Sequence, residues 1–324
     1  MGSTFRSTDT LAARTGPPDA DGNVTMLPAK RLSLFRITLA HLVAFLLGTL
    51  LIFFLTLGLP DAAYRVAGPL ANETALAQLR EEFALEGPAI TRLGSAWHRL
   101  LAGELRSMYT RDPVLSVLKD KAPASVALVA SATLSTVLLS AGVVWLLGRS
   151  NRIRRVTNAL VGVSATVPVF ITATFLLLLS SRLGIPLGLS AAASLAVFPA
   201  ILLSTNLFER WREVRRTPHN VLAWHYGLSN RQLTWRMVRD SSGAGAILIN
   251  AVIFFLATGI VIVEPLFGIP GVGRWLLISA LKLDMPVLFV VGVALSGAIA
   301  VVSWHREVLL RILAPSPPLE SDSP

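Results

Sequence analysis

Residues 159–207 read ALVGVSATVPVFITATFLLLLSSRLGIPLGLSAAASLAVFPAILLSTNL, two apolar runs parted by a short turn at 180–184, with Arg182 the only charged side chain. A helix of about 20 mostly apolar residues spans the hydrocarbon core of a bilayer, because its backbone satisfies its own hydrogen bonds there. The stretch therefore predicts a hairpin of two transmembrane helices. The same signal recurs outward along the chain, giving six expected spans at about 37–59, 124–147, 159–179, 185–207, 244–263 and 287–304. The expected fold class is an all-α membrane protein.

Composition agrees with lipid as the solvent: 53% of the 324 residues are hydrophobic and only 15% charged, with a mean hydropathy of +0.63, too apolar for an ordinary soluble domain of this length. The net charge of +10 does not mark a nucleic-acid surface, since the basic residues fall in short blocks between apolar runs. There is no cysteine, which excludes disulfides, thiolate metal sites and cysteine nucleophiles. No metal site, cofactor or catalytic group is expected: the spans hold no buried carboxylate pair, zinc-ligand cluster or Ser/His dyad.

Orientation follows from the arginine-rich flanks, which resist translocation. Lys30, Arg31 and Arg36 precede the first span. Arg149, Arg152, Arg154 and Arg155 lie between the second and third, and seven arginines from Arg210 to Arg239 lie between the fourth and fifth. Both termini are thus expected in the cytoplasm, with the segment between the first two spans outside. In that segment Leu76, Leu79 and Phe83 recur at helical spacing, as do Ile90, Leu93, Trp97, Leu100 and Leu101, with Gly87-Pro88 and Gly103 as breaks. Two short amphipathic helices are predicted there, either covering the spans or helping to dock a partner that delivers substrate. By domain, the chain reads as a polar tail (1–30), a first span with external segment (31–123), a five-helix core (124–304) and a second tail (305–324).

The longest cytoplasmic loop, 209–242, is written as helix, glycine turn and helix. Thr217 and Pro218 suit a helix start. Gly227 suits the left-handed position that ends a helix, and Ser229 with Gln232 has the spacing of a capping box. Val221, Leu222, Trp224 and His225 make an apolar and aromatic ridge. It either packs the loop under its own membrane domain or inserts into a separate motor subunit. The chain has no G-x-x-x-x-G-K-S/T phosphate loop to cradle ATP itself.

After the fifth span comes Val263-Glu264-Pro265-Leu266-Phe267-Gly268-Ile269-Pro270-Gly271-Val272-Gly273-Arg274, followed by Asp284-Met285-Pro286. These residues resemble the V-E-x-x-F-x-x-P-G-x-G-R and D-x-P pattern of the dipeptide/oligopeptide/nickel permease family of binding-protein-dependent ABC importers. The resemblance covers about 31–304. Residues 79–86 and Gly103-Glu104-Leu105 look like the family's external L-R-x-x-x-x-L and G-D-L elements, and 221–229 falls on its coupling loop. There Ala223, Gly227, Leu228 and Ser229 match the family's A-R-A-K-G-L-S motif, whereas Val221 stands at a commonly acidic position, Trp224 replaces Arg and Tyr226 replaces Lys. His225 completes the stretch, and the family's downstream proline is missing, with Gly245 near its place.

The resemblance implies a type I ABC importer permease in a bacterial cytoplasmic (inner) membrane. Its implied partners are a second homologous permease, ATP-binding subunits and an extracytoplasmic binding protein. Short peptides are the first-choice cargo, with nickel chelates, opines and other small solutes as alternatives. The implied site residues are the coupling loop, and Glu264, Phe267, Pro270, Gly271, Gly273, Arg274, Asp284 and Pro286 of the loop motif. For that motif an architectural role is preferred over substrate binding, with Pro270, Gly271 and Gly273 read as a bend and Glu264 and Arg274 as a pair. Ser131, Ser135, Ser164, Thr166, Thr172 and Thr174 either line a pathway or let helices pack closely. An ion-coupled secondary transporter is the rival class. It would place ionisable side chains within the spans, which here offer only His41 and Glu264 near span ends and a central Asn250.

Overall fold

A computed structural model describes residues 34–313 apart from 58–61, 69–70, 84, 148–151, 153–154, 158, 160–166, 217, 219–221, 223–226 and 228–242. Two compact units divide the chain at residues 39 and 40. The described part of the first, 34–39, is the opening of a helix in which the Thr38 hydroxyl donates to the Leu34 carbonyl at 3.0 Å. The second unit holds everything discussed below.

The described chain is helical. We label α1 Leu34–Leu57, α2 Ala62–Ala67, α3 Glu73–Glu82, α4 Ala89–Leu101, α5 Val114–Leu147, α6 Val169–Leu183, α7 Leu187–Arg216, α8 Gly243–Phe254, α9 Ile260–Leu266, α10 Val272–Lys282 and α11 Met285–Leu313. Among the described residues, four helices are long and apolar enough to cross a membrane, within α1, α5, α7 and α11. They coincide with the first, second, fourth and sixth expected spans. The fifth is α8 and α9 joined through a π-helical turn, Phe255–Gly259, a wide turn that re-aims the residues after it. The third is described only as α6, whose 15 residues reach about 22 Å; much of its expected first half lies outside the described residues.

The 180–184 turn is shorter than expected. Ser180, Ser181, Arg182 and Leu183 complete α6, and Gly184, at φ 68°, is the left-handed cap. Ser180 makes this possible: its hydroxyl donates to the Ile185 carbonyl at 2.6 Å and accepts from the Ser190 hydroxyl at 3.0 Å, tying the two helices together.

α7 is the central helix. Its buried side is mostly small, with Ser190, Ala191, Ala192, Ser194, Ala196, Ala200 and Ser204 beside the larger Leu195, Leu203 and Phe208. Small side chains let helix backbones approach where no water drives association. Against them α5 sets Ala132, Thr136 and Ser140, and the Ser140 hydroxyl reaches the Ala200 carbonyl at 3.1 Å. At Gly259 a Cβ would stand 2.6 Å from Leu195 Cδ2, so α7 also presses on the π turn. α1, by contrast, exposes Leu42, Leu47, Leu51 and Leu55, the pattern of a helix facing lipid.

Of the hydroxyl residues weighed as pathway lining, Ser131, Thr172 and Thr174 donate to carbonyls of their own helices. Ser164 and Thr166 lie outside the described residues. Hydroxyls buried between the helices instead include Thr136, Ser140, Ser190, Ser194 and Ser204.

Between α1 and α5 the two amphipathic helices are present as α3 and α4, with α2 added before them. Asn72 caps α3 by accepting from the Ala75 amide at 2.9 Å. Leu76, Phe83 and Leu100 are buried, whereas Ile90 and Leu101, read as part of the apolar face, are 73% and 81% exposed. The reason is geometric. Both sit at ends of α4, beyond the Leu93, Trp97 and Leu100 stripe that meets the membrane helices. Trp97 and Phe53 each meet Phe289 edge-on, at 5.9 and 6.2 Å between ring centres. α5 begins ten residues before its expected span, at Val114, because Val114, Leu115 and Leu118 join the same cluster.

Candidate functional site

The loop motif folds from local rules first. α9 ends in a Schellman motif: the Ile269 amide donates to the Glu264 carbonyl at 2.8 Å and the Gly268 amide to Pro265 at 3.3 Å, with Gly268 left-handed at φ 69°. Pro270 follows where a helix cannot resume. Gly271, extended at φ −94°, then starts α10. The bend expected at Pro270, Gly271 and Gly273 is therefore centred on Gly268, a position legible from a glycine two residues before a proline.

Gly271 and Gly273 are glycines for a different reason, which is closeness rather than backbone sign. A Cβ on Gly271 would overlap the Glu264 carboxylate. One on Gly273 would lie 2.5 Å from the Ile260 carbonyl and 2.7 Å from the Val261 amide nitrogen. The start of α10 thus lies directly on the backbone of α9.

Glu264 is wholly buried, and each of its carboxylate oxygens meets a donor of the protein. It accepts from the Ser125 hydroxyl at 2.6 Å and from the Arg274 amide at 2.9 Å. Ser125 in turn accepts from the Val272 amide at 2.8 Å. A carboxylate held at a helix N-terminus by backbone amides also gains from the positive end of the helix dipole. The expected Glu264 and Arg274 pair is corrected accordingly: the carboxylate takes the arginine's amide, while its guanidinium donates to the Gly268 carbonyl at 3.1 Å. Burial decides this, since the guanidinium stays part-exposed and the carboxylate does not.

Asp284 repeats the device 20 positions on. α10 also ends in a Schellman motif, with Leu283 at φ 60° and the Asp284 amide on the Ser279 carbonyl at 2.9 Å. The buried Asp284 carboxylate accepts from the Ser107 hydroxyl at 2.5 Å and the Met108 amide at 3.1 Å. Ser107 also accepts from the Tyr109 and Thr110 amides at 3.2 and 3.1 Å, and the Tyr109 hydroxyl donates to the Lys282 carbonyl. Burial, then the neighbouring Asp284, push the Tyr109 phenol above its ordinary pKa, partly opposed by Arg65. Phe267 and Pro286 are buried beside these carboxylates, and Pro270 is exposed.

The motif is therefore two buried carboxylates, each clamping a serine from a distant segment. Ser125 and Ser107, which sequence reasoning missed, complete it. Ser107 stood in a turn-rich SMYTRDP run; Ser125 had no local signal.

Of the coupling loop, Leu222 and Gly227 are described. Leu222 is helical and 54% exposed, and Gly227 is left-handed at φ 81° with open space around it, as expected of a helix-ending glycine. Val221, Ala223, Trp224, His225, Tyr226, Leu228 and Ser229 lie outside the described residues. Asn250 is exposed, and it accepts from Arg306 at 2.7 Å.

An all-helical chain with several apolar spans and no strand among its described residues is a multi-pass membrane protein. No protein-family model matches it. It is similar to a probable peptide ABC transporter permease protein of Sinorhizobium fredii, 24% identical over 83% of this chain and 93% of the relative. It is likewise similar to the dipeptide transport system permease protein of Lactococcus lactis, 26% identical over 88% and 97%. A putative peptide transport system permease protein of Brucella abortus is 27% identical over 75% and 85%. Relatives at 24–27% identity over three quarters or more of the chain, together with this architecture, make it similar to the permeases of ABC transport systems.

Proposed function

We propose that this chain is one of two homologous permease subunits enclosing the pathway of a binding-protein-dependent importer of short peptides in a bacterial cytoplasmic membrane. The observation that carries the proposal is similarity to peptide and dipeptide permeases over three quarters or more of the chain. The subunit has no catalytic role of its own. Separate ATP-binding subunits close on nucleotide, the 209–242 loop passes that closure to the spans, and a binding protein delivers cargo outside. The carboxylate clamps support this reading because Asp284 ties the outer segment to the core through Ser107 and Met108, and Glu264 ties α5 to α9 and α10 within the core. Loss of labelled di- and tripeptide uptake on deleting the gene, in cells lacking other peptide importers, tests the cargo; unchanged uptake would exclude it.

Gly227→Val tests the coupling loop. A β-branched residue at φ 81° costs about 1–2 kcal/mol of local strain, so uptake should fall several-fold while membrane insertion persists. Full uptake with normal subunit assembly would remove the loop from the mechanism.

Orientation is tested by single cysteines, clean probes because the chain has none. Introduced at exposed positions in 73–121, such as Glu81 or Glu104, they should react with a membrane-impermeant maleimide on intact spheroplasts. Labelling only after lysis would invert the topology.

A further inference from the structure

Where α1 ends and α11 begins, α4 crosses both and leaves an open cleft lined by Phe53, Phe289, Leu105, Ser95, Arg92 and Arg99, among others. Its floor is apolar and aromatic, and among the described residues no acidic side chain lines it. Arg99 spends one nitrogen on the Glu82 carbonyl at 3.0 Å. The Arg92 side chain has no hydrogen bond or ion pair among the described residues, and burial pushes its pKa below the ordinary guanidinium value. Two guanidinium groups over a greasy floor, with no carboxylate among the described residues lining it, form a receptor for an amphipathic anion.

Depth identifies the anion's source. α1 has 24 residues and is about 36 Å long, slightly more than the roughly 30 Å hydrocarbon core. Thr56 in its last turn and Met285 in the first turn of α11 both line the cleft, so the cleft opens at headgroup level. Below it α1 presents Leu51, Phe54 and Leu55, at 60%, 53% and 64% exposure, an apolar track along which acyl chains run.

We propose that this cleft binds an anionic phospholipid of the outer leaflet, its phosphate held by Arg92 and Arg99 and its chains lying along α1. The leaflet, though not the site, rests on the orientation proposed above. A bound lipid would fasten α4 to the spans and so stiffen the outer segment.

The test uses the full chain in nanodiscs of equal phosphatidylglycerol and phosphatidylcholine, delipidated with mild detergent, with retained lipid measured by mass spectrometry. Phosphatidylglycerol should be retained over phosphatidylcholine, and its affinity should fall about fivefold for Arg92→Gln and about fivefold again when Arg99→Gln is added. Arg182→Gln, which removes a charge elsewhere, should leave retention unchanged. Equal retention of the two lipids, equal retention by native and double-variant chains of the same thermal stability, or displacement by glycerol phosphate alone would each overturn the proposal. The maleimide experiment separates this from the topology: inverted labelling with intact arginine-dependent retention would move the lipid to the inner leaflet and leave the site standing.

Discussion

Replacing Gly273 with alanine is expected to cost about 3 kcal/mol of stability, the upper end of the range for adding one methyl to a packed site. The new Cβ would stand 2.5 Å from the Ile260 carbonyl carbon and oxygen, and backbone cannot swing aside as a side chain does. α10 would have to lift from α9, pulling Val272 from Ser125 and Arg274 from Glu264. The readout is the thermal unfolding midpoint of the purified chain in detergent, with uptake measured in parallel. Gly142→Ala, where nothing lies within 4 Å, serves as control and should be neutral or slightly stabilising. A midpoint for Gly273→Ala equal to the control's would mean that α10 does not sit this close.

Removing the Glu264 carboxylate should cost more. In Glu264→Ala the Arg274 amide and the Ser125 hydroxyl lose their acceptor inside a fully buried site, at about 1–3 kcal/mol for each group left unpaired. A cavity remains as well, and together these give a loss of about 4 kcal/mol or more. Glu264→Gln keeps one acceptor oxygen and nearly the same volume, so its loss should be less than half of that. Substrate binding by Glu264 predicts a different pattern: both variants would abolish uptake while leaving the unfolding midpoint near the native value. The buried, fully engaged carboxylate leaves no oxygen for cargo, so the graded stability loss is the expected result.

Much of the architecture was legible because membrane insertion is a local property. Runs of about 20 apolar residues mark spans without reference to the rest of the chain, and the periodicities at Leu76 and Phe83 and at Leu93, Trp97 and Leu100 located α3 and α4. Turn chemistry was nearly as local: Gly227 is left-handed as its position required. The misreadings arose where packing overrode local signals. Ile90 and Leu101 satisfy the helical pattern but overhang the surface that α4 meets, and Ser180–Leu183 resemble a turn until Ser180 is seen bonded across to Ile185 and Ser190.

By itself the sequence determined an all-helical membrane protein and the positions of most spans and turns, since hydropathy, periodicity and glycine placement act over a few turns. Only the tertiary structure decided what those residues do. Glu264 meets Ser125 from 139 positions away and Asp284 meets Ser107 from 177, contacts that no neighbouring residue announces. Buried carboxylates must find donors wherever the packed helices bring them, and the arrangement of those helices is a property of the whole chain.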